Sequence, residues 1–219
     1  MSRFACIEAG GTKFVAGIVS GDGAIVETAR FDTTTPDQTL GATIAWLQAA
    51  AARHGGIDAA GIASFGPLEL DRSAANWGHI TATTKPGWSH TDFAARVARE
   101  LGVAVGFDTD VNGAALAEAR WGAAQGQRVS VYVTVGTGIG GGAIVDGKPL
   151  CGLSHPEMGH IRPARHPADA GFAGVCPFHG DCLEGLASGP AIIARWGASL
   201  SNLPADHPGH AIIAWYLAQ

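Results

Sequence analysis

The sequence is poor in the features that mark several broad classes of protein. Charged side chains make up only 15% of its 219 residues and leave a formal net charge of −5. The lysines and arginines are scattered and form no basic stripe, so nucleic acid is not an expected partner. No apolar run reaches the length of a membrane span, and no membrane is expected either. Met1-Ser2-Arg3 leads into an apolar strand without a signal-peptide core or cleavage site, which predicts a cytoplasmic protein. Cysteine is sparse, with Cys6, Cys151, Cys176 and Cys182 only. In a reducing compartment no disulfide framework is expected, and Cys6 and Cys151 read as small buried hydrophobes. Missing too are a G-x-x-x-x-G-K-S/T loop and a G-x-G-x-x-G that opens a helix, which disfavours those two modes of nucleotide binding.

What is present is apolar and rich in glycine. Hydrophobic residues account for 47% of the chain, enough for one large or two small cored domains. The stretch from Thr134 to Gly147 reads as the end of an apolar strand (Val129 to Val135), a glycine-dense turn, a second strand (Ala143 to Val145) and an Asp-Gly hairpin. Glycine lets a ligand come close to the backbone and leaves amides free to surround an anion such as phosphate. The chain begins on the same plan. Phe4 to Glu8 is a strand, Ala9 to Lys13 a glycine turn, Phe14 to Val19 a second strand, Asp22-Gly23 a hairpin turn and Ala24 to Phe31 a third strand. Two copies predict two related domains facing each other across a cleft, each with a phosphate turn.

Between the copies the pattern is α/β. Pro36 to His54 reads as a helix, Ile57 to Phe65 as a buried strand, Asn76 to Trp88 as a loop, His90 to Leu101 as an amphipathic helix, Val103 to Phe107 as a strand and Val111 to Trp121 as a helix. Asp108-Thr109-Asp110 stands where that last strand meets the helix. A carboxylate there is placed either to meet substrate and accept a hydroxyl proton or to cap the helix, and for Asp110 both readings stand. Further on, His160, Cys176, His179 and Cys182 offer two imidazoles and two thiolates. This is a tetrahedral donor set for structural zinc, with no vacant position for a catalytic water.

Six segments together carry a resemblance: Glu8 to Lys13, Asp110-Val111-Asn112, Val135 to Gly140, Pro156 to His160, Cys176 to Cys182 and Glu184 to Pro190. In this order they resemble the ROK family of sugar kinases, and within it the zinc-containing fructokinase branch. The resemblance implies the actin-like, ribonuclease H-like two-domain α/β fold, with a first domain over 1–112 and a second over 113–219. It also implies ATP-dependent phosphorylation of a hexose, fructose favoured, with Mg2+ and structural Zn2+. Position by position, Asp110 matches the general base and Asn112, Glu157, His160 and Glu184 the sugar-binding groups. Thr12, Lys13, Thr134, Gly136, Thr137, Gly138 and Pro190 match the nucleotide side. The alternatives are another ROK hexose kinase, acting on glucose, mannose or an N-acyl-hexosamine, or a non-catalytic remnant. A ROK regulator is disfavoured because no helix-turn-helix precedes the first strand.

Two substitutions set the chain apart from most of that family. Glu8 stands where an aspartate usually opens the first turn, and Thr109 stands where an asparagine usually precedes the base and touches the sugar. A hydroxyl there offers different hydrogen bonds, so glucose specificity is not implied. Family members also run on past the equivalent of Gln219 with a late adenosine-binding turn, so the second domain is expected to be truncated. A complete chain is expected to form a homodimer.

Overall fold

The computed structural model describes residues 1–219. They form two compact units, Met1–Ala117 with Cys151–His155, and Glu118–Leu150 with Pro156–Gln219.

The first unit is built on a five-stranded sheet. Strands β1 (Arg3–Ala9), β2 (Lys13–Ser20) and β3 (Ile25–Asp32) form an antiparallel meander. The helix α1 (Pro36–Arg53) then carries the chain back to β4 (Ala59–Ser64), which pairs parallel with β1. A short hairpin of β5 (His79–Ile80) and β6 (Thr91–Asp92) precedes α2 (Ala94–Leu101). Strand β7 (Ala104–Thr109) completes the sheet parallel to β4, giving the order β3-β2-β1-β4-β7, and α3 (Asp110–Trp121) follows without a gap.

Local chemistry accounts for these elements. In α1 the Thr35 hydroxyl caps the first turn by accepting from the Gln38 N–H, Pro36 occupies the start and Asp37 faces the positive end of the helix dipole. Its Leu40, Ile44 and Leu47 fall on one stripe and are buried with Ala5, Ile7, Phe14, Ala16 and Ile18 of the sheet. Phe14 lies between Trp88 and Phe93, with ring centroids 5.4 and 5.7 Å away, so the loop that supplies Trp88 is pinned into the core. The helix expected from His90 starts later, at Ala94. His90 has a left-handed φ of 62°, and the next two residues are spent on pairing with His79 and Ile80.

Helix α3 packs hard against β4 through Gly113, where a Cβ would stand 2.6 Å from the Ala63 Cβ. Gly113→Val is therefore expected to force the helix off the sheet and lower stability by about 1–3 kcal/mol, measured by denaturant unfolding.

The second unit repeats the strand plan in smaller form. Strands β8 (Val129–Val135), β9 (Ile139–Val145) and β10 (Lys148–Pro149) form an antiparallel sheet of order β10-β9-β8, and Asp146-Gly147 turns with φ of 49° and 78°. Strand β9 begins earlier than the sequence suggests, because Gly140 to Gly142 lie within it rather than in the turn. Their smallness serves packing: a Cβ on Gly141 would meet the Met158 Sδ at 2.8 Å, where the Met158–His160 turn rests on the strand.

Helices α4 (Leu183–Ala187), α5 (Gly189–Trp196) and α6 (Gly209–Leu217) complete the unit around Ile139, Leu186, Ile192, Ile213 and Tyr216. A buried polar cluster ties them together. Asp169 accepts from Arg195 Nη1 at 2.9 Å and from the Tyr216 hydroxyl at 2.8 Å, and Arg195 also donates to the Leu186 carbonyl. Burial lowers the Arg195 pKa and raises that of Tyr216. Asp169→Ala strands a buried guanidinium, and a loss of about 3–5 kcal/mol in unfolding free energy is expected.

Candidate active site

In the first unit the candidate residues gather at the carboxyl ends of the sheet strands. Either Asp108 or Asp110 was a candidate cap for α3, and the cap is instead Thr109. Its hydroxyl accepts from the Asn112 N–H at 3.2 Å, and the residue is 5% exposed. Thr109 is thus held inside the protein, which corrects the expectation that its hydroxyl faces the sugar. Asp108 Oδ1 accepts from the Thr109 N–H and from Asn112 Nδ2, each within 2.8 Å. The Asn112 side chain is fully buried, with Oδ1 unpartnered. It acts as a strut beneath the turn.

Asp110 is left with a solvent-facing carboxyl that accepts from the adjacent Val111 N–H at 2.9 Å. The protein packed behind it still pushes its pKa above the ordinary carboxylate value. Glu8 adds to the rise, whereas the Val111 and Asp110 N–H groups and His155 oppose it. A carboxylate that is open to solvent, free of capping and tuned upward can take a proton from a hydroxyl.

Thr12 on the β1–β2 turn and Lys13 at the start of β2 lie exposed, and the Gly10 N–H closes the turn onto the Lys13 carbonyl at 2.9 Å. Sequence reasoning missed Lys85 here. Its ammonium donates to the Gly11 carbonyl at 2.6 Å and to the Thr33 carbonyl at 3.3 Å, placing a cation on the first glycine turn.

In the second unit, Thr134 near the end of β8 and Gly136 and Thr137 on the β8–β9 turn are exposed, and the Gly136 N–H donates to the Gly138 carbonyl at 2.8 Å. The Gly189 N–H donates to the Gly136 carbonyl at 2.8 Å, which brings the exposed Pro190, at the start of α5, to the same turn. Glu184 joins them, accepting from the Ile139 N–H at 3.0 Å. Glu157 is exposed just before the turn that carries His160.

His160, Cys176, His179 and Cys182 converge, with one donor atom from each lying within 4.8 Å of all the others. The closest approaches are His160 Nδ1 to Cys182 Sγ at 3.4 Å, Cys176 Sγ to His179 Nδ1 at 3.7 Å and Cys176 Sγ to His160 Nδ1 at 3.9 Å. Zinc bonds of about 2.0–2.3 Å in a tetrahedron give nitrogen–sulfur edges of about 3.6 Å, so the donor set fits zinc. Cys151, by contrast, is exposed, which corrects its reading as a buried residue, and Cys6 is half-buried with its thiol pKa raised by burial.

A ribonuclease H-like sheet order, two glycine turns and a solvent-facing aspartate at a strand end define a class, the actin-like phosphotransferase fold. The chain matches the model of the ROK family over residues 4–211 and belongs to that family. It is 52% identical to a fructokinase from Zymomonas mobilis subsp. mobilis over 218 residues, 98% of this chain and 72% of that protein. It is 48% identical to a putative fructokinase of Bacillus subtilis, over 97% of this chain and 69% of that one. Among solved structures, a ROK hexokinase from Thermus thermophilus superimposes with a TM-score of 0.78 at 26% identity, covering 98% of this chain and 74% of that one. No helix is long and apolar enough to cross a membrane.

Proposed function

We propose that the chain is a fructokinase, transferring the γ-phosphoryl group of ATP to the 6-hydroxyl of D-fructose. The observation that carries the reading is Asp110, freed from capping by Thr109 and open to solvent at the end of β7. In phosphoryl transfer the protein contributes mainly position and charge, with one carboxylate to orient and deprotonate the attacking hydroxyl. Fructose as the substrate is supported by relatives named fructokinase at 52% and 48% identity.

In this reading Asp110 is the base, and Asn112, Glu157, His160 and Glu184 serve the hexose. Asn112 contributes through the turn it supports. Thr12 and Lys13 in one unit, and Thr134, Gly136, Thr137, Gly138 and Pro190 in the other, serve the nucleotide. Glu8 and Asp110 offer hard oxygen donors of the kind that magnesium takes through its waters, and the ion brought in with ATP would supply charge neutralisation at the phosphates. His160, Cys176, His179 and Cys182 would hold zinc as a structural ion, a cross-link that would fix His160 and the approach to Glu184. The reading includes a cytoplasmic location and, for a complete chain, a homodimer.

The test is kcat/KM for a panel of fructose, glucose, mannose and N-acetylmannosamine with ATP and Mg2+. Fructose is expected to lead by at least about tenfold, a difference that a few hydrogen bonds at the sugar supply. Preference for one of the other sugars would assign the chain to another hexose kinase activity of the same mechanism.

A further inference from the structure

Ile139 is the first residue of β9 after the second glycine turn, and its peptide groups are held from both sides by the segment that carries the metal donors. On one side its N–H donates to Glu184 Oε2 at 3.0 Å. On the other, Gly159 lies so close that a Cβ there would overlap the Ile139 carbonyl oxygen. Gly159 adjoins the donor His160, and Glu184 is two residues beyond the donor Cys182.

The same helix is tied to the cluster and the turn at other points. The Cys182 Sγ caps α4 by accepting from the Gly185 N–H at 3.5 Å, and a Cβ on Gly185 would stand 3.0 Å from the Cys176 N. At the far end of α4 the chain enters α5, whose Gly189 N–H holds the Gly136 carbonyl. The thiolate–imidazole cluster and the glycine turn are therefore joined by one residue and one five-residue helix.

The geometry points to Glu184 as a positioning residue for the second glycine turn, through which the state of the His160–Cys176–His179–Cys182 cluster sets the order of the backbone that meets the nucleotide phosphates. This rests on the proposed kinase reading for the identity of the ligand, and it adds to the sugar-side role given to Glu184 there. The chemistry is specific. Glu184 offers an acceptor to an N–H that begins a strand, and a glutamine at that position keeps an acceptor oxygen while removing the charge. Gly138 offers a second handle, because its Cβ would stand 2.6 Å from Glu184 Oε2. A methyl group there displaces the end of the Glu184 side chain while leaving the glutamate itself in place.

Hydrogen–deuterium exchange over residues 136–145 of the purified chain is the first measurement. Loss of the one hydrogen bond corresponds to exchange at least about fivefold faster at Ile139 in Glu184→Ala and in Gly138→Ala. Glu184→Gln is expected to stay near wild type. Stripping zinc with a chelator is expected to speed exchange in the same segment, and adding zinc back to restore it. The second measurement is the affinity of a non-hydrolysable ATP analogue without sugar, which should fall about fivefold in Glu184→Ala and hold in Glu184→Gln.

Unchanged exchange at Ile139 in Glu184→Ala, or in stripped protein that has lost its metal, would overturn the coupling. A glutamate that serves only the sugar predicts equal nucleotide affinity in the alanine and glutamine variants. Wild-type protein that binds no nucleotide yet shows the exchange pattern would overturn the kinase reading and leave the coupling standing.

Discussion

Replacing Asp110 with asparagine is expected to lower turnover by roughly 10²–10⁴-fold, the usual contribution of a general base, with a much smaller change in sugar affinity. The amide keeps the size of the side chain and an oxygen for the Val111 N–H, so the start of α3 is preserved and only the capacity to accept a proton is lost. Stability separates this from misfolding. Because the native pKa of Asp110 is raised, chiefly by the desolvating protein packed behind its carboxyl, the native state binds its proton more tightly than the unfolded chain does. Its ionisation therefore costs nothing below the ordinary carboxylate range, and the cost develops as pH rises through the raised native value. Asp110→Asn is thus expected to melt at or above the wild-type temperature at neutral pH, with the gain vanishing in acid. A fall in Tm alongside the fall in turnover would assign Asp110 to structure.

Removing the metal is the second large effect. One zinc per chain is expected in protein purified without chelator, held by His160, Cys176, His179 and Cys182, since a closed set of two thiolates and two imidazoles binds it as part of folding. Free zinc at 100–1,000 times its Kd stabilises the native state by about 3–4 kcal/mol. At about 2–4 °C per kcal/mol for a chain of this size, stripping it lowers Tm by roughly 6–16 °C. Cys176→Ser and Cys182→Ser should each lose metal, melt lower and bind sugar more weakly, because the same segment carries His160 and leads into Glu184. Elemental analysis finding no zinc in the wild-type protein would remove this part of the account.

The parts of the molecule that local chemistry decides were legible in the sequence. The first strand alternates buried and open residues, α1 carries its own cap and stripe, and the Cys176-x2-His179-x2-Cys182 spacing is short enough to announce a convergent cluster. Where tertiary contact decides, the reading fell short. The glycines of β9 looked like turn residues, because nothing in their own neighbourhood announces that Met158 and Gly159 will lie against that strand. Thr109 looked available to a sugar, although the cap it supplies to Asn112 is visible only once the strand is seen to run straight into the helix. Lys85 is one of only three lysines in the chain, but its target, Gly11, is 74 residues away. The Glu184–Ile139 bond spans 45 residues and has no local signature.

The identity of the phosphorylated product tests the central claim most directly. Purified chain incubated with ATP, Mg2+ and D-fructose, followed by phosphorus NMR, is expected to show ADP and a sugar phosphomonoester on the 6-oxygen in equal amounts, with the ester signal growing roughly 10²–10⁴-fold more slowly in Asp110→Asn. Phosphate on a different oxygen, or ATP consumed to give only ADP and inorganic phosphate, would contradict it.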